Sequence, residues 1–206
     1  MGWKARTLER TLETATARSL ERGSRFVEAA RELALESRQL DFTVQEVVAR
    51  SGLSLRSFYQ HFEGKEELLL ALYEELVSDA AARAAAKIAS IDDPVEQLRV
   101  LVHRFYAARG AFPSPLDRQI QRVLQDRPGD VRMALEPLVE LFAQVIGRAI
   151  EAGAGCEGPA RDHAVHLLLV VMAHTQARSK ELMGNGWPVF SREQLWGYCR
   201  RSLGIG

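Results

Sequence analysis

The sequence is poor in cysteine. Cys156 and Cys199 are the only two in 206 residues, and they have neither metal-ligand spacing nor a framework pattern. That excludes a disulfide scaffold and a cysteine-held metal centre. No apolar run approaches the roughly 20 residues needed to cross a bilayer. The longest, AVHLLLVVMA at 164–173, is interrupted by His166 and suits a helix buried on two sides. The first residues, MGWKARTLERTLETATARSLERG, alternate charges around no apolar centre, so no secretory signal is expected and the reading is cytoplasmic, with no membrane partner. Neither sign of charge is in excess. The chain has 27 Lys and Arg against 27 Asp and Glu, which argues against a general polyanion binder. Catalytic signatures are also missing: there is no nucleophile elbow, no carboxylate pair on a helix face and no phosphate-cradling glycine loop. The expectation is a protein that is not an enzyme and uses no cofactor. His103, His163, His166 and His174 are read as packed or exposed side chains, not as a metal site.

What is present is helical period. Hydrophobic residues make up 47% of the chain, enough for a sizeable core, and they recur at helix spacing with no strand alternation. Start signals are frequent. Thr43 and Glu46 form a capping box with Phe42 and Val47 as its hydrophobic staple, Asp93 caps a helix that begins with Pro94 and has Glu96 as partner, and Ser191 pairs with Gln194. Stops fall at Gly110, at GAGCEGP and at GNGWP. The pattern predicts an all-α chain of about nine helices, near 24–38, 43–50, 54–61, 65–89, 94–109, 116–126, 130–152, 159–183 and 191–203. Three short helices at 23–64 would form a small head, and 65–206 a larger helical body. Residues 1–22 are left open between a disordered arm and a helical extension.

The head carries the informative stretch, SGLSLRSFYQHFEGKEEL at 51–68. Gly52 suits a tight left-handed turn, Ser54 an N-cap, and Leu53 with Phe58 its staple. Val44, Val47, Val48, Leu53, Phe58 and Phe62 make one apolar seam, the spacing of a helix-turn-helix. Leu55, Arg56, Ser57, Tyr59, Gln60 and His61 then crowd the outward face or its borders. No acid occurs between Arg50 and Phe62, so a local anion-binding face is compatible with zero net charge. A merely solvated face on a helical hairpin is the plain alternative, and periodicity does not separate the two.

Residues 26–71 resemble the DNA-binding head of the TetR family of transcriptional repressors. The resemblance rests on Ala29, Ala30, Thr43, Ala49, Ser51, Gly52, Leu53, Ser54, Phe58, Tyr59, His61, Phe62, Lys65 and Leu68. It implies phosphate contacts from Thr43, Tyr59, His61 and Lys65, and base contacts from Leu55, Arg56 and Ser57. Two departures from the family pattern are the SRQLD loop after the first head helix, and Leu55–Arg56 where Lys-Gly is frequent. Leu55 offers contact to a thymine methyl, and Arg56 a fork for guanine. The resemblance also implies a homodimer on an operator, released by a small molecule held in the body. Leu101, Phe105, Phe142, Val145, Met172 and His174 are its candidate pocket residues. Leu195, Trp196 and Leu203, on a helix that joins 159–183 in a four-helix interface, are the candidate dimer residues. Regulation by a protein partner, or a helical carrier or enzyme, are the competing readings.

Overall fold

The computed structural model describes residues 3–37, 42–107, 126–155, 158–178 and 190–205, with residues 3–10, 37 and 176–178 by backbone alone. All regular structure among them is helical: α1 (Trp3–Ser37), α2 (Val44–Ser51), α3 (Leu55–Tyr59), α4 (Lys65–Ile88), α5 (Pro94–Ala107), α6 (Pro128–Ala134), α7 (Glu136–Glu151), α8 (Ala160–Arg178) and α9 (Arg192–Ser202). The expected helix at 116–126 and the stops at Gly110 and GNGWP lie outside the described residues. The chain divides into two compact units, one drawn from Met1–Tyr73 and Pro113–Pro128, the other from Glu74–Phe112 and Gly129–Gly206. The division falls inside α4 and not at its start, where the sequence suggests it.

Local signals explain most boundaries. Thr43 and Glu46 form the reciprocal box that opens α2, with Glu46 N–H donating to Thr43 Oγ1 and Thr43 N–H to the Glu46 carboxylate. Ser191 and Gln194 do the same for α9. Asp93 Oδ1 accepts from Val95 N–H, but Glu96 does not complete a box; its carboxylate holds Arg99 instead. The single helix expected at 130–152 is broken at Leu135. Pro137 has no N–H to give and restricts the residue before it, so a fresh helix starts at Glu136. α1 is far longer than expected, because the segment left open at the amino end continues it without a break.

In the first unit α1 packs on α2 and α3 through Phe26, Val27, Ala29, Ala30 and Ala34, all buried. In the second, α7 packs along α8 and α5 packs on α7, α8 and α9. Leu98, Leu101, Val102, Phe142, Val145 and Ile146 have no exposed surface, so each contributes roughly 1.5–3 kcal/mol of apolar burial. Buried Gln97 donates to the Ile88 and Ile91 carbonyls at the end of α4 and accepts from Arg148, so that turn is satisfied without water.

Candidate nucleic-acid interface

The recognition segment is built around a backbone reversal. α2 ends at Gly52, whose φ of 66° and ψ of 20° is the left-handed conformation that side-chain-bearing residues avoid. Arg25, on α1, locks the reversal by donating from Nη2 to the Ser51 carbonyl at 2.6 Å. Ser54 then caps α3, its hydroxyl accepting from Ser57 N–H. Beneath the helix Phe58 is fully buried, edge-on to Phe26 with centroids 5.4 Å apart and beside Phe62 at 5.5 Å. The aromatic cluster holds the inner side of α3, so Leu55, Arg56 and Tyr59 are turned outwards.

Leu55 and Arg56 are exposed at the first turn, and Tyr59 is exposed at the end, its ring set edge-on against Phe58. Ser57 departs from expectation: its hydroxyl is buried and has no hydrogen-bond partner, so it does not present a donor outwards. The capping of α3 occupies its N–H and leaves Oγ on the covered side. His61 departs as well. Its Nδ1 lies 2.8 Å from the Ser57 carbonyl, and its Nε2 lies 3.0 Å from the Ser19 carbonyl and 3.2 Å from the Ser19 hydroxyl. Both ring nitrogens are thus engaged within the chain, and neither is left for a phosphate. Sequence reasoning could not find this, since Ser19 sits 42 positions away in the segment left open.

Thr43 is exposed at the amino end of α2, where its hydroxyl also donates to Glu46. Hydrogen bonds from the Thr43 N–H and hydroxyl hold the Glu46 carboxyl below the usual carboxylate range. Lys65 opens α4 half-buried, with its charged Nζ 4.8 Å over the Phe42 ring in a cation–π contact. Just before that helix, Glu63 N–H donates to the Glu67 carboxylate. Arg50 is not a free cation either. It grips Glu36 through two nitrogens and Glu32 through one, and those bonds keep its guanidinium firmly charged and the Glu36 carboxyl below its usual range. Both acids come from α1, which no local pattern around residue 50 reveals. Arg56 is the exposed cation at the first turn of α3, and Lys65 the half-buried one at the start of α4.

Residues 26–72 match the family model of bacterial regulatory proteins, tetR family. The head, residues 26–72, is thus of the tetR-family type. Solved structures agree in fold. RolR in complex with resorcinol has a TM-score of 0.71 at 14% identity, covering 92% of this chain and 91% of that one. A TetR-family transcriptional regulator from Agrobacterium tumefaciens has 0.56 at 21%, covering 90% and 97%. The fatty acid degradation regulator FadR from Bacillus halodurans has 0.61 at 16%, covering 88% and 93%. Curated proteins provide no match. A head of this type on this fold supports a DNA-binding transcriptional regulator, and no described helix is long and apolar enough to cross a membrane.

The second unit gathers most of the candidate pocket residues. Leu101, Phe142 and Val145 are fully buried; Phe105 and Met172 are half-buried, and the Phe105 ring lies 5.8 Å from that of Phe142. His174 is set apart from them. It is stacked between Tyr106 at 5.8 Å and Phe190 at 5.5 Å, and its Nε2 meets the Phe190 carbonyl at 3.0 Å. The candidate dimer residues need correction. Leu195, Trp196 and Leu203 are buried within the chain itself, so they have little surface left to give a partner. Among the described residues of α8 and α9, the exposed large apolar side chains are Val165, Leu169 and Tyr198. Among the described residues no group of three or more His, Cys, Asp or Glu is placed to hold a metal.

Proposed function

We propose that this chain is a homodimeric repressor that grips a near-palindromic operator and releases it when a small apolar or amphipathic molecule enters the body. One observation carries the reading: Leu55 and Arg56 stand exposed at the start of a helix whose other side is fixed by buried Phe58, by the Gly52 reversal and by the Ser54 cap. A short helix held this way offers its first turn to a major groove. There Arg56 suits guanine O6 and N7, and Leu55 a thymine methyl. Tyr59 and Lys65 are suited to phosphate oxygens on either side, and Thr43 would join them only by releasing its hydroxyl from Glu46; such contacts set register without reading sequence.

The head at 23–64 would do the reading, and the body at 65–206 would hold the effector and the second subunit. Val165 and Leu169, one turn apart on the outer side of α8, with Tyr198 on α9, supply the apolar surface for a twofold contact. Leu101, Phe105, Phe142, Val145 and Met172 supply an apolar lining for a ligand, and RolR, alike in fold, was solved with resorcinol. α4 has residues in both units, which makes it the element through which occupancy of one would bias the other.

Selection from a random-sequence duplex library tests this. The recovered site should be a near-palindrome with half-sites one helical turn or a multiple apart. A compound that stabilises the protein thermally should then weaken that complex by roughly 5- to 150-fold. Recovery of no preferred sequence would overturn the reading.

A further inference from the structure

The amino-terminal half of α1 is not needed to build the head. Phe26, Val27, Ala29, Ala30 and Ala34, which pack the core, all lie in its second half, whereas residues 11–22 are exposed or nearly so. From Trp3 to Arg22 the chain has five Lys and Arg and three Glu, and they are not mixed at random. At about 100° per residue, Thr11, Thr14, Arg18, Arg22 and Arg25 fall on one side of the helix. Glu13 falls away from this row, and Glu21 borders it, one turn from Arg18 and from Arg25. That side is the one that Arg25 turns to the Ser51 carbonyl, at the reversal before α3. Arg22 and Arg18 extend it outwards by one and two turns, and among the described residues neither has an ion-pair partner. The extension is also fastened to the far end of the recognition segment, since Ser19 meets His61 Nε2 through both its carbonyl and its hydroxyl. Its basic side is therefore tied to the segment that opens and closes α3.

We propose that this amino-terminal extension is a second DNA-contacting surface, which sets Arg18 and Arg22 against phosphates beside the bases read by α3. The inference rests on the reading of the head as a DNA binder. Charge complementarity selects the occupant: Arg18 and Arg22, exposed one turn apart and without an ion-pair partner among the described residues, suit a regularly spaced polyanion. An exposed charged helix standing alone would gain little from those same groups. The contact is to backbone, so it adds affinity and salt dependence without changing which bases are preferred. His61 then acts as a positioning residue, holding the extension against the end of α3 instead of binding phosphate itself.

The test uses the full chain, a labelled mixed-sequence duplex and a salt titration. Arg18→Gln/Arg22→Gln should lower the slope of log K against log salt by about two units per bound subunit and weaken low-salt binding roughly tenfold or more. Arg18→Glu/Arg22→Glu should weaken it further, with unchanged helical content and thermal unfolding in both variants. Lys65→Ala, measured in parallel, separates the two claims. If Lys65→Ala weakens binding while both double variants match the native chain, the extension does not touch DNA and the inference fails alone. If none of the three has any effect, the DNA-binding reading falls with it. If the double variants change the oligomeric state in sedimentation and leave DNA affinity intact, the surface serves a second copy of the chain and the inference is wrong.

Discussion

In the first unit the chemistry stands on the surface; in the second it is enclosed. α2 and α3 are short and are fixed by caps, by a left-handed glycine and by an aromatic cluster, which leaves Leu55, Arg56 and Tyr59 exposed. α5 and α7 are longer and bury Leu101, Phe142, Val145 and Ile146 with no exposed area. A helix that reads a duplex needs particular residue types at particular backbone positions, because groove edges and phosphates have fixed spacing. An enclosed apolar space accepts many side chains of similar volume. The head is thus constrained residue by residue, and the body only in its pattern. This is the contrast between the match of residues 26–72 to a family model and the 14–21% identity of the whole-chain fold neighbours.

The largest effect that would sharpen this contrast comes from truncating one buried ring in each unit. Phe58→Ala and Phe142→Ala should each cost about 3–5 kcal/mol, since both rings are wholly buried. Phe58→Ala should abolish DNA binding, while Phe142→Ala should leave binding measurable at temperatures where the variant stays folded. Thermal unfolding followed alongside duplex binding checks both. Loss of binding in the two variants alike, under folded conditions, would mean that the units are not functionally separable.

A smaller effect is expected at the reversal. Gly52→Ala places a Cβ on a residue with φ of 66° and 3.3 Å from Arg25 Nη2. The left-handed backbone costs about 1–2 kcal/mol for such a residue, and the crowding loosens the Arg25 lock on Ser51. Urea unfolding should show that loss, with weaker operator binding from a displaced α3. A variant as stable as the native chain would contradict the account of the turn.

The smallest effect is electrostatic. Glu36 is held below its ordinary value of 4.5, first by the hydrogen bond from Arg50. Its folded-state pKa is depressed, so the stabilisation is complete well above pH 4.5 and is lost as pH falls through the folded value. Arg50→Gln should therefore destabilise the protein at neutral pH, and its difference from the native chain should shrink as the pH drops below that range. The pair is exposed, so added salt should narrow the difference too. A gap that widens on acidification would refute the sign.

How much of this is legible without coordinates follows the same division. The capping boxes at Thr43 and Ser191, the Gly52 reversal and the buried seam through Val47, Phe58 and Phe62 are local, written in residues a few positions apart, and the structure contains them. What escapes is contact at long range. Ser19 engages His61, and Glu32 and Glu36 neutralise Arg50, across separations of 14 to 42 residues. Ser57 misleads because its side-chain direction depends on which side of a five-residue helix is covered. In the body, helical period identifies Leu195 and Trp196 as apolar stripe residues but does not say whether their cover is the chain itself or a second copy. The break before Pro137 was open to sequence reasoning and is a case where the periodicity on both sides hides it.

The central claim is that the first turn of α3 reads bases. It is tested most directly by measuring native and Arg56→Ala protein on the selected operator and on a mixed-sequence duplex, at one salt concentration. The account predicts that Arg56→Ala lowers operator affinity by about 1–3 kcal/mol per half-site, roughly 5- to 150-fold, with only a slight loss on the mixed-sequence duplex. An equal fall on both duplexes, or none on either, would contradict it.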